Sequence, residues 1–282
     1  MRGLKDCLQL GGMALLWLSA QAHAQIQTPV LPQRIVSLNL CTDQILLQLV
    51  APQRIAALSW LSASPESSAL HAQARPLRHV RGHAEEVLAL RPDLVLVGTA
   101  TTRFTARLLR EFGVPVLALP GVKNFAEVRE QIRQVAHAVG AVAEGEALLA
   151  RFDARHAVMQ AQAAARPAAV AMQYLAGGRS AGAGTLYDDI FAAGGHANGA
   201  ARAGLRGYGA MPIERVLVEQ PDVLVTSDYR RHVATQGNRL LSHPALAHLS
   251  LHELVLPSRL SVCGGPWNLE AAALLAARGE RS

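Results

Sequence analysis

The chain has 282 residues, half of them apolar, and a formal charge of +6. That length suffices for one large domain or two of roughly 120 residues, each able to bury a core. The cations are almost all arginine, with lysine only at Lys5 and Lys123, and they are spread along the chain, which excludes the clustered basic footprint of a nucleic-acid binder but leaves room for a basic cleft that takes an anionic ligand.

Residues 1–24 read as a secretory signal peptide. Arg2 and Lys5 make the positive start, Cys7 to Ala20 is mostly apolar, and Ala22-His23-Ala24 is the small-x-small pattern cut by a signal peptidase, so the mature protein is expected to start near Gln25. The apolar run is too short to span a bilayer comfortably, and no later segment approaches the ~18 continuous apolar residues of a membrane helix. The expectation is an exported, soluble protein.

In the first part, 25–140, Arg34 to Leu38 is a strand candidate, followed by a loop at Asn39–Thr42 and a helix from about Asp43 to Val50. Further strands are expected at 54–58, 94–97 and 114–119, with a helix over 104–112 between the last two. Asn124-Phe-Ala-Glu127 is a capping box opening a helix that ends near Gly140. A second helical run, about Glu144 to Ala165, has no proline and spans roughly 30 Å before Pro167 stops it; the segment 141–166 reads as a rigid connector. In the last part, 167–282, Ala168 to Tyr174 is a strand, Thr185 with Asp188 resembles an N-cap pair, His252 to Leu256 is a late strand, and a final helix runs from about Asn268 to Ala277. Alternating strands and helices predict an α/β fold: two lobes, each with a parallel sheet, joined by one long connecting helix.

The two lobes repeat one another. Glu85-Glu-Val-Leu-Ala-Leu-Arg-Pro92-Asp93-Leu-Val-Leu-Val97 matches Glu214-Arg-Val-Leu-Val-Glu-Gln-Pro221-Asp222-Val-Leu-Val-Thr226 at an offset of 129 residues. Each copy is a short helix stopped by proline, which cannot donate and restricts the residue before it, and then a strand apolar enough to be buried on both faces.

These segments, their order and the helix between them resemble the periplasmic substrate-binding proteins of ABC importers, specifically the iron-siderophore and vitamin B12 group, over residues 33–277. The resemblance implies a periplasmic, monomeric, non-enzymatic protein that captures a small-molecule metal chelate and passes it to a permease with its ATPase subunits. It uses no cofactor; the chelate is cargo. It also implies that one exposed glutamate per lobe docks against permease arginines, and segment matching assigns these to Glu85 and Glu214; carboxylate and guanidinium pair in a two-pronged geometry.

In open parallel sheets, ligands bind beyond the carboxyl ends of strands. That rule selects Asn39, Cys41, Thr42, Trp60, Thr99 and Arg103 in the first lobe, and Tyr174, Arg179, Tyr208, Tyr229, Arg230, Cys263 and Trp267 in the second. The aromatics suit stacking on a flat macrocycle, and the arginines suit an anionic chelate. Cys41 and Cys263 read, in order, as small buried fillers, as a disulfide across the cleft floor, or as a soft ligand to a bound metal. Two other classes compete. Gly178-Arg-Ser180-Ala-Gly182 matches the elbow of a serine hydrolase, though its helix signal begins only at Thr185. His79 and His83 point to a zinc or manganese binder, though three or four converging ligands are not evident.

Overall fold

The computed structural model describes residues 31–167, 169–228, 239, 241, 243–248 and 251–278. The expected signal peptide lies outside the described residues, as do Tyr229 and Arg230. No helix among the described residues is long and apolar enough to cross a membrane.

The first lobe is a five-stranded, wholly parallel sheet of β1 (Ile35–Ser37), β2 (Ile55–Ser59), β3 (His79–Val80), β4 (Leu94–Gly98) and β5 (Val116–Leu119), in the order β3-β2-β1-β4-β5. Its helices are α1 (Leu40–Leu49), α2 (His71–Ala74), α3 (Ala84–Leu88) and α4 (Arg103–Glu111). Then come α5 (Phe125–Val139) and the 23-residue connector α6 (Val142–Ala164). The second lobe holds β6 (Ala169–Gln173), β7 (Arg179–Ala181), α7 (Leu186–Ala193), β8 (His196–Asn198), α8 (Gly199–Arg202), β9 (Tyr208–Ala210), α9 (Ile213–Glu219), β10 (Val223–Ser227), β11 (His252–Leu256) and α10 (Asn268–Ala276). Four of its strands form a parallel sheet in the order β11-β10-β6-β8. The short antiparallel ribbon β7–β9 stands apart.

Side chains alternate across a strand, so a strand covered on both faces must be apolar throughout. In β4, Leu94 and Leu96 join the core shared by both lobes, while Val95 and Val97 join a second core on the outer face of the first sheet. In β10, Val223 and Val225 face the shared core and Leu224 faces an outer core with Met172, Tyr174 and Val216. The shared core runs through α1, α5, α6, α7 and α10, so the lobes are welded at the back rather than strung on a linker. Each fully buried side chain such as Leu96 or Phe152 contributes roughly 2 kcal/mol. Helix α5 buries Phe125, Val128, Ile132, Val135, Ala136 and Val139, the spacing of one helical face. Gly145 lets α6 lie against it, since a Cβ there would sit 2.6 Å from the Cβ of Ala136.

The repeat is visible in the backbone. The carboxylate of Asp93 accepts from the N–H groups of Gln33 (2.6 Å) and Arg34 (2.9 Å) at the entry of β1. Asp222 accepts from Val170 N–H (2.7 Å) at the entry of β6. Arg91 and Gln220, each just before the repeated proline, are the two non-glycine residues with positive φ, +46° and +44°, among the described residues.

The capping box forms, with Glu127 N–H donating to Asn124 Oδ1 at 2.7 Å. Thr185 caps differently from the sequence expectation: its hydroxyl donates back to the Gly182 carbonyl (2.8 Å), and Asp188 accepts from Gly184 N–H (3.1 Å). Strands β3 and β8 and the β7–β9 ribbon are too short to announce themselves by alternation.

Candidate ligand cleft

The order β3-β2-β1-β4-β5 places a topological switch point between β1 and β4, because the chain leaves β1 toward β2 and leaves β4 toward β5. The loops after these strands form the first cavity, about 200 Å³, with Asn39, Cys41, Thr42, Thr99 and Thr101 on one side, Pro120, Gly121, Val122 and Gln131 on another, and Val262, Cys263 and Gly264 contributed by the second lobe. A second cavity, about 390 Å³, continues from Val262. It is lined by Leu40, Leu61 and Ser67 of the first lobe and by Gln173, Leu175, Tyr187, Tyr208, Ser227, Ser258 and Ser261 of the second. Among the described residues, none that lines either cavity is charged.

Local chemistry fixes these walls. Asn39 is the N-cap of α1: its Oδ1 accepts from the N–H of Cys41 (3.0 Å) and Thr42 (3.4 Å), as a short polar side chain does at an unsatisfied helix start. The Thr42 hydroxyl lies 2.9 Å from the Asn39 carbonyl and 2.7 Å from the Ser37 hydroxyl. Beneath it Asp43 is fully buried; its Oδ2 accepts from the Ser59 hydroxyl, its Oδ1 has no partner, and burial pushes its pKa up to about 8. On the far wall the hydroxyls of Tyr187 and Ser261 lie 2.8 Å apart, and burial raises the Tyr187 pKa.

Cys41 and Cys263 are joined by a disulfide between lobes, with Cα atoms 5.1 Å apart and 222 residues of sequence between them. The reading as separate fillers is therefore corrected, and the soft-ligand reading falls with it, since a disulfide offers no thiolate to a metal. Approach of the two loops in space, invisible in sequence, is the cause.

Of the residues singled out from sequence, the structure brings Asn39, Cys41, Thr42, Thr99 and Cys263 together around the first cavity and Tyr208 to the second. Tyr229 and Arg230 lie outside the described residues, and the other described ones are not on these walls. Trp60 is half-exposed, with the Arg81 guanidinium 5.8 Å from its ring centroid. Arg103 starts α4 on the surface and Arg179 is exposed on β7. Tyr174 is fully buried with its hydroxyl unpartnered. Trp267 is buried, and its indole N–H donates to the Cys263 carbonyl (2.8 Å), so it braces the disulfide loop instead of offering a stacking face. Gln131, Gln173, Tyr187 and Ser261 were missed; they lie on α5, at the end of β6, on α7 and in the turn before α10, far from one another in sequence.

Glu85 and Glu214 are both exposed in the first turns of α3 and α9. Each helix feeds straight into a parallel strand, so its first turn lies toward the carboxyl ends of the strands, the cleft side. Glu86, the next residue in α3, is engaged, accepting from Arg81 N–H at 2.8 Å.

The serine elbow loses its geometry. Ser180 is buried in β7, where its hydroxyl donates to the Gln173 carbonyl, not at a strand-to-helix elbow. Among the described residues no group of three or more His, Cys, Asp or Glu side chains converges to hold a metal ion.

Two parallel-sheet lobes fused by a long helix, with a cavity between the carboxyl ends of their strands, define a solute receptor of the helix-linked kind. The family model of the periplasmic binding proteins matches residues 35–250, and the chain belongs to that family, whose members serve ABC importers. No curated protein sequence matches the chain. Among solved structures, the periplasmic heme-binding protein RhuT of Roseiflexus sp. RS-1 is 26% identical, with a TM-score of 0.70 over 88% of this chain and 99% of that one. A periplasmic heme-binding protein of Pseudomonas aeruginosa is also 26% identical, with a TM-score of 0.69 over 89% and 94% of the two chains. The vitamin B12 binding protein BtuF of Vibrio cholerae shares the fold at 22% identity, with a TM-score of 0.67 over 88% and 97%.

Proposed function

We propose that this protein captures an electrically neutral metal chelate, a cobalamin-type corrinoid or a ferric siderophore of the hydroxamate kind, in the cleft between its lobes in the periplasm and delivers it to the permease of an ABC importer. The observation that carries the reading is the lining of the cleft by the described residues: hydroxyls, amides and aliphatic groups from both lobes, with no charged side chain among them. A bare zinc or manganese ion needs anionic or imidazole ligands, and an anionic chelate needs cationic partners; the described lining residues supply neither. A neutral chelate with an amide or hydroxyl periphery suits walls that offer hydroxyls and amides. The likeness to heme-binding proteins and to a B12-binding protein supports a metal-chelate cargo of this size class.

Glu85 and Glu214 are assigned to permease docking. Among the described residues neither forms an ion pair, both are exposed, and they occupy equivalent places in the two repeats. Titration of the protein with cyanocobalamin, ferrichrome, an anionic ferric catecholate, heme, zinc and manganese tests the cargo. Saturable, submicromolar binding of one of the first two is expected; binding of bare ions alone, or of the catecholate alone, contradicts the reading.

A further inference from the structure

The floor of the cleft is a covalent joint, and its two arms are built to be stiff. On the first lobe, Cys41 sits in the first turn of α1, held by the Asn39 cap. On the second, the Cys263 carbonyl accepts from both Trp267 Nε1–H (2.8 Å) and Asn268 Nδ2–H (2.9 Å). Asn268 also donates to the Leu260 carbonyl (2.8 Å) and accepts from Gly265 N–H (2.7 Å), so the 260–268 loop is cross-braced and Asn268 is itself fully buried.

Around the sulfurs the lobes touch without slack. A Cβ on Gly264 would meet the Cγ2 atoms of Val122 at 2.3 Å and Val128 at 2.5 Å, both in the first half of the chain. At the edges of this seam, Phe125 N–H donates to Asp189 Oδ2 (2.6 Å) and the Ser258 hydroxyl donates to the Glu66 carbonyl (2.7 Å). Both cysteines line the first cavity.

We propose that the Cys41–Cys263 disulfide is a positioning element of the ligand site: it fixes the separation of the loops at 39–42 and 262–264, and with it the width of the cleft, so that the cargo meets a preformed slot. This rests on the cleft being the cargo site. A loop pair that must be ordered at the moment of binding costs affinity, and a joint made in advance removes that cost. The bridge belongs to an oxidising compartment; in its absence the back of the fold stays welded through α5 and α6 while the mouth is free to fluctuate.

The test compares three samples: the oxidised protein, the same protein reduced with a phosphine, and the Cys41→Ala/Cys263→Ala variant, which does not depend on incomplete reduction. Amide hydrogen exchange over 39–42 and 260–268 reads the joint without ligand, and stopped-flow dissociation of cyanocobalamin or ferrichrome reads the site. The expected result is a protein still folded by circular dichroism, with exchange in those two segments faster by roughly tenfold or more and chelate release faster by a similar factor. Unchanged exchange and unchanged release overturn the proposal. Loss of the fold on reduction and in the variant also overturns it, because the bridge then serves stability alone. If the oxidised protein binds neither chelate, the cargo reading fails, while the exchange rates still decide whether the bridge sets the joint.

Discussion

Asp43 is the residue whose environment departs furthest from its chemistry. A carboxyl without solvent, with one oxygen unpartnered and a pKa near 8 against an ordinary 3.8, holds its proton in the folded protein at neutral pH and loses it on unfolding. The folded state therefore binds more protons than the unfolded state between those two values, and stability falls as pH rises through that window, by something on the order of 5 kcal/mol. Urea unfolding at about pH 5 and pH 8 should show a higher midpoint at the lower pH. Asp43→Asn, which carries no titrating proton, should flatten that dependence; a wild-type midpoint that rises with pH would contradict the assignment. In the sequence Asp43 is only an acidic residue in the first turn of a helix, where a charge is ordinarily favourable. Nothing local says that α1 packs on both sides of that turn. The same blindness applies to Tyr174 and Trp267: an aromatic after a strand looks equally like a stacking face and like core, and only packing separates the two.

At the scale of elements, the duplicated helix–Pro-Asp–strand unit was legible from residue spacing, and the structure gives it a mechanical meaning. Each repeated aspartate caps the entry of the neighbouring central strand, so the Pro-Asp pair both ends a helix and pins a sheet. Asp93→Ala removes bonds to two N–H donors and should cost about 2–3 kcal/mol; Asp222→Ala removes one and should cost about half as much, both measured by chemical denaturation. The residue before each proline turns left-handed to reverse the chain, which a non-glycine side chain resists. Gln220→Gly should therefore raise stability by about 1 kcal/mol, set against the greater freedom glycine gives the unfolded chain; a loss of more than that amount would show that the Gln220 side chain, not its backbone, is what the turn needs. Long helices were also legible: α5 carries a capping box and one apolar face, and α6 is a proline-free run stopped by Pro167. The short β3, β8 and β7–β9 elements were not, since two or three residues hold no pattern and their pairing comes from distant partners.

For the whole molecule, parallel lobes and a helical connector followed from the order of motifs, whereas the site did not, because it is assembled where segments around positions 39, 99, 121, 173, 187 and 261, distant in sequence, converge. The disulfide closes a loop of 222 residues, so its removal should lower global stability by up to about 5 kcal/mol on chain-entropy grounds, apart from any effect on the cleft. Charge reversal at Glu85 together with Glu214 should abolish import in a reconstituted transporter and leave chelate affinity unchanged, because both carboxylates stand outside the cavities; a loss of affinity would remove the docking assignment. The most direct measurement is the affinity of cyanocobalamin and ferrichrome for the wild-type protein and for Gly121→Trp. Gly121 lines the first cavity, and a Cβ added there meets no atom within 4 Å, so a tryptophan starts from open space beside the cleft. The account predicts wild-type binding of one of the two chelates, and in the variant an affinity lower by at least roughly tenfold with an unchanged thermal midpoint; equal affinity in both proteins would place the cargo outside the cleft and contradict it.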